Sequence, residues 1–156
     1  MSVRADAETF RSIPIFAGCD AMHLQILAFS AVRQSFAEGD VIIKKGLKGG
    51  AAYLILSGRA DLVSNDDARI GSAGPGAMLG EISMIGDIPY SLTARASEPL
   101  QAARIDRSLF MRVAQEYPDF GAAVFGALAR RLDVSMGDLN TARQAFEKAK
   151  SFRSLL

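Results

Sequence analysis

Between Gly74 and Arg95 the chain reads Gly-Pro-Gly-Ala-Met-Leu-Gly-Glu-Ile-Ser-Met-Ile-Gly-Asp-Ile-Pro-Tyr-Ser-Leu-Thr-Ala-Arg, and this run holds the residues with the clearest chemistry. Glycine lets backbone come close to a ligand. A helix beginning at Glu81 offers N–H groups that the helix itself cannot pair, with the positive end of its dipole behind them, which suits an anion. The carboxylate of Glu81 beside such a site is out of place unless something carrying hydroxyls binds there too. Anion donors next to a hydroxyl acceptor describe a pocket for a phosphate that carries a sugar.

The elements that must position these residues follow from turns and periodicity. A glycine-rich turn at Gly74–Gly76 leads through Leu79-Gly80 into a short helix, Glu81–Ile85. A second turn, Gly86–Pro89, delivers a strand that alternates Leu92, Ala94 and Ala96 against Ser91, Thr93 and Arg95. Strands are predicted at Val41–Ile43, Ala51–Leu56, Arg59–Val63, Ala68–Gly71, Leu92–Ser97 and Leu100–Ile105, with a hairpin tip at Asn65-Asp66-Asp67. Turn signals at roughly 8–12-residue spacing and no helical crossovers point to a β-barrel or jelly-roll sandwich.

Helices flank this region. Residues 1–12 form a short leading helix or a frayed end, and Ile13-Pro14-Ile15-Phe16 an apolar plug. Asp20 is an N-cap for a helix from Ala21 to about Ala31, with Leu24, Leu27 and Ala28 as its apolar stripe. His23, the sole histidine, is read as a surface or cap residue, having no partner cluster for a metal. Asp106 caps a helix to about Tyr117, and Pro118 opens the next. Val124, Leu128, Leu132, Met136, Leu139 and Phe146 then share one stripe, and a helix uninterrupted to about Lys150 would reach roughly 45 Å. Its second half could fray, but a stripe that outlasts intrachain cover favours a seam in a homodimer.

The reading is of one α+β domain, residues 1–156, an antiparallel β-roll or jelly-roll barrel with helices at both ends. Its parts are N-terminal helices (1–32), the β-roll (33–105) with its pocket segment at 79–93, and C-terminal helices (106–156), the last one long. The 156 residues are enough for a core without staples, and the net charge of +1 gives no global field for nucleic acid. A lone cysteine, Cys19, excludes an internal disulfide framework. A mixed-charge N-terminus and the lack of a long apolar run argue for a cytoplasmic protein with no membrane partner. With no nucleophile–base set the chain is not expected to be an enzyme, and no metal or cofactor is expected.

The order of these motifs resembles the cyclic-nucleotide-binding domain family over almost the whole chain. Phe36-Ala37-Glu38-Gly39-Asp40-Val41-Ile42 looks like its first strands, Tyr53-Leu54-Ile55-Leu56-Ser57-Gly58 like its Y-x-I-x-x-G strand, and Leu79-Gly80-Glu81-Ile82-Ser83 like the start of its phosphate-binding cassette. Pro118-Asp119 and Ala129-Arg130-Arg131-Leu132-Asp133-Val134-Ser135 resemble the dimer helix of the catabolite-activator (Crp/Fnr-type) regulators. The resemblance implies a sensor for cAMP or cGMP that reports occupancy through its C-terminal helix. It implies that Glu81 accepts from a ribose hydroxyl, that Gly80 and Ile82 present backbone to the ligand, and that Ser91, with Leu92 beside it, lies at the phosphate. Ser135 would meet the base.

Tyr90 departs from the pattern. It stands where nucleotide-binding members usually carry the arginine that pairs with the cyclic phosphate, and a neutral O–H is a poor replacement for a guanidinium. Arg95 on the same strand is read as a surface residue. A second expectation therefore stands beside the sensor: a degenerate member serving as a ligand-independent dimerisation or docking module, or one retuned to another small effector. Direct DNA binding by this chain is not expected, its end at residues 141–156 being only modestly basic.

Overall fold

The computed structural model describes residues 3–64 and 66–132. Two helices lead: α1 (Val3–Arg11) and, after a 3-10 turn at Pro14–Phe16, α2 (Ala21–Ser30). Eight strands follow: β1 (Val32–Phe36), β2 (Val41–Ile43), β3 (Ala51–Ser57), β4 (Ala60–Val63), β5 (Arg69–Ala73), β6 (Met78–Leu79), β7 (Thr93–Ala96) and β8 (Leu100–Asp106). The short helix α3 (Glu81–Gly86) lies between β6 and β7, and α4 (Arg107–Glu116) and α5 (Pro118–Leu132) complete the order.

The strands form two antiparallel four-stranded sheets, ordered β1-β8-β3-β6 and β2-β7-β4-β5. Of the two β architectures that the turn spacing allowed, the sheets match the sandwich-like roll, since they do not close into a barrel. The continuous apolar run in β3 has a simple cause: that strand is buried on both faces. Ala52, Leu54 and Leu56 join Ala103 and Ile105 of β8 in a core with the helices. Ala51, Tyr53 and Ile55 turn the other way, into a core that draws on both sheets.

The helix caps are those expected. Asp20 accepts from the Met22 N–H at 2.8 Å and Asp106 from the Leu109 N–H at 2.7 Å, each satisfying a first-turn donor. Pro118 opens α5. The leading residues take the helical one of their two expected forms, the strand after the hairpin is shifted to Arg69–Ala73, and β6 is a strand where none was predicted. The β6 pairing is supplied by β3, Tyr53 opposite Leu79, a long-range partner that local pattern does not report. His23 is half-buried rather than a surface or cap residue. Its ring lies 4.7 Å from that of Tyr117 and 6.1 Å from that of Phe120, so it helps seat α5 on α2. Asn65 of the hairpin tip, and the predicted helix beyond Leu132 with Ser135, Met136, Leu139 and Phe146, lie outside the described residues.

Cys19 belongs to the helix-side core, and burial pushes its thiol up to about 11 from an ordinary 9.0. Near neutral pH this leaves about a hundredfold less thiolate than an unperturbed cysteine. Folded protein is therefore expected to resist Ellman's reagent at pH 8, with full reaction only in denaturing urea. Rapid reaction without denaturant would show that the N-terminal core opens easily.

Candidate functional site

Gly80 precedes α3 as its N-cap residue with φ +81°, a left-handed conformation that favours glycine. A side chain there would also collide: a Cβ would sit 2.8 Å from the Tyr90 ring and 2.9 Å from the Ala51 carbonyl oxygen. Glu81 opens the helix and is half-buried. Ser83, one turn in, is buried, and its hydroxyl donates to the carbonyl of Ile88. That bond folds the return loop onto α3. Asp87 takes the left-handed conformation at the C-cap (φ 55°).

Tyr90 is the best-anchored residue of the segment. Its backbone N–H donates to the Leu47 carbonyl at 3.0 Å, and its own carbonyl accepts from the Gly46 N–H at 2.9 Å. Its hydroxyl donates to the Ala51 carbonyl at 2.8 Å and accepts from the Ala51 N–H at 3.2 Å. The residue is 7% exposed, and a Cβ on Gly49 would come within 2.5 Å of the hydroxyl. The ring is thus held between the backbones of Gly49 and Gly80, with its one proton committed to β3. Burial pushes the phenol up, with the Ala51 hydrogen bond opposing in part.

The remaining predicted site residues separate. Ser91 is exposed beside Tyr90, whereas Leu92 packs against the inter-sheet core and Ile82 against the helix-side core. Ser135 lies outside the described residues. Arg95 pairs with Asp67 of the β4–β5 hairpin at 3.5 Å, consistent with the surface role expected of it. Lys48, in the loop before β3, lies 3.6 Å from Asp87.

Three residues of this site went unread in the sequence. Gly49 was seen only as part of a glycine-rich loop, although a glycine pair ahead of an apolar strand does signal close backbone approach. Ala51 offers no sequence signal, because it acts through its backbone. Arg107 was passed over beside the Asp106 cap; its Nη1 donates to the carbonyls of Met84 and Ile85 at 2.8 and 2.6 Å, tying the end of α3 to the start of α4. Burial lowers its guanidinium pKa, an effect that Asp87 opposes.

A two-sheet roll that brackets a short helix between tight turns, with helices against one sheet, defines a class of small α+β domains. The chain belongs to the cyclic nucleotide-binding domain family, which it matches over residues 33–117, more than half its length. It is 30% identical over 102 residues to a cAMP-dependent protein kinase regulatory subunit from Candida albicans, covering 65% of this chain and 22% of that protein. It is 33% identical over 102 residues to a cGMP-dependent protein kinase from Eimeria tenella, covering 65% and 10%. The chain therefore spans less than a quarter of the length of either relative.

Among solved structures it is similar to the N-terminal domain of a transcriptional regulator from Streptomyces coelicolor (TM-score 0.72, 25% identity, 80% of this chain and 90% of that one). A cyclic nucleotide-binding-like protein from Brucella abortus is also similar (TM-score 0.65, 28% identity, 71% and 98%). Among the described residues no helix is long and apolar enough to cross a membrane.

Proposed function

We propose that this chain is a regulatory module of the cyclic-nucleotide-binding type whose cassette is held by its own Tyr90 instead of by a ligand phosphate. One observation carries this reading: the Tyr90 hydroxyl is bonded to both the N–H and the C=O of Ala51, with its ring wedged between Gly49 and Gly80. A hydroxyl engaged in this way has no proton left for a phosphate, and the arginine that would supply charge is absent from position 90. The module then works as a ligand-independent docking or dimerisation unit, or answers a small effector that needs no phosphate clamp. Dimerisation through the C-terminal helix, with residues such as Leu139 in the seam, is part of this proposal. Direct DNA reading by this chain is not.

A second reading, a cAMP or cGMP sensor reporting through Ser135, is favoured by the other half of the site. Gly80 keeps its left-handed turn, and Glu81 stands at the first position of α3, where a ribose acceptor would be needed. Calorimetric titration with cAMP and cGMP separates the two. On the first reading wild type shows no saturable binding up to about millimolar ligand, the weak end of specific affinity. Tyr90→Arg then gains at least about tenfold, because one charge-assisted hydrogen bond is worth about 1.5–3 kcal/mol. Tight binding by wild type that Glu81→Ala abolishes would establish the sensor and discard the docking module.

A further inference from the structure

Helix α2 is apolar on more faces than its own fold needs. Ala21–Ser30 contains no charged residue. Leu24, Leu27 and Ala28 face the helix-side core, as a surface helix requires. Outside that contact lie Met22 (55% exposed) and Phe29 (78% exposed), two helical turns apart, with half-buried Ile26, itself packed against the helix-side core, between them, and Val32 (61% exposed) follows at the start of β1. A helix that is apolar all round belongs in an interior, and a cluster of large exposed apolar side chains marks an interaction surface. The neighbouring strand is open as well: β1 is the outermost strand of its sheet and, among the described residues, pairs only with β8.

We infer that this face is covered by α2 of a second copy of the same chain, packed antiparallel about a two-fold axis. The charges at its two ends select that occupant and that orientation. Asp20 is exposed at the N-terminal end, and Arg33, which also pairs with Asp6 at 2.7 Å, is part-exposed beyond the C-terminal end. An antiparallel pair brings Asp20 of each copy toward Arg33 of the other and opposes the two helix dipoles. A parallel pair would set like charges together. The stripe between has no charge to repel its own image, which a self-complementary patch requires. A ten-residue helix is about 15 Å long, so the patch is smaller than the about 800 Å² per partner of a standard interface. The dimer is accordingly weak, with dissociation in the micromolar range or above. This surface is separate from the cassette, so the inference stands whether or not the cassette is held by Tyr90.

Sedimentation velocity of the full chain from about 5 to 500 µM, spanning that weak regime, tests the inference. Wild type is expected to show a concentration-dependent doubling of mass, whether from monomer or from a dimer already formed through the C-terminal helix, and Phe29→Asp to lose that step with an unchanged circular dichroism melt, since the side chain is exposed. Ile70→Asp, which removes another exposed apolar residue, on β5, is expected to change nothing. Gln25→Cys, at the middle of the stripe, is expected to give an intermolecular disulfide under mild oxidation, while the buried Cys19 of wild type gives none. A wild type with no such doubling, or a doubling dispersed by Leu139→Asp but indifferent to Phe29→Asp, overturns it.

Discussion

Tyr90→Phe lowers the unfolding free energy by about 1–3 kcal/mol in urea titrations, and Tyr90→Ala by about 3–5 kcal/mol. The smaller loss follows from the hydroxyl alone. Its removal takes one partner each from the Ala51 N–H and C=O in a buried place, and a buried polar group without its partner bears its desolvation cost. The larger loss adds the ring, whose departure leaves a void between Gly49 and Gly80 that backbone cannot readily fill. The pH dependence gives a second signature. Burial raises the Tyr90 phenol, so the unfolded chain ionises first, above the ordinary tyrosine value of about 10. The stability that the protonated hydroxyl contributes is whole below that pH and falls as pH rises beyond it, because the unfolded state then binds fewer protons. Tyr90→Phe should flatten this alkaline decline relative to wild type. If Tyr90→Phe were as stable as wild type and kept the same alkaline slope, the wedge would be incidental and the cassette would be held by something else.

The same tyrosine marks where sequence reasoning stops. That position 90 lacks a cationic donor is plain from residue identity. That its hydroxyl turns to Ala51, thirty-nine residues earlier, is a tertiary fact with no local periodicity to announce it. What was legible is what local physics decides. Asp20 and Asp106 announce helix starts because an N-cap needs only the next few N–H groups. The run Ala51–Leu56 reveals a doubly buried strand because both faces of β3 meet apolar layers. Helix α2 was half legible: Leu24, Leu27 and Ala28 gave its inner face, but Met22 and Phe29 needed the structure to show them outside. His23 misled for a related reason. A single histidine carries no metal signal, but its ring surface can still be core, and that depends on where Tyr117 and Phe120 return.

Arg107→Ala should loosen α3 while leaving α4 in place. The last carbonyls of a helix have no partners within it, and Arg107 supplies donors to two of them, Met84 and Ile85, from the next helix in the core. Hydrogen bonds with a charged donor contribute about 1.5–3 kcal/mol, so their loss should raise local opening of α3 by at least about tenfold. The opening should stay local for two reasons. Helix α4 keeps its own cap, Asp106 to the Leu109 N–H, and Met84 and Ile85 stay buried in either case. Amide hydrogen exchange can read this difference, since regions open independently of the global transition when few contacts bind them. Faster exchange at Met84–Asp87, with exchange in β3 and β8 unchanged, would identify Arg107 as the link by which a change at the cassette reaches α4 and, through it, α5. Arg107→Lys retains a charge but presents it as a point donor, so its exchange should fall between wild type and alanine. Uniform acceleration across α3, α4 and the sheets would instead make Arg107 a general stabiliser, and the route from cassette to helices would have to run through packing alone.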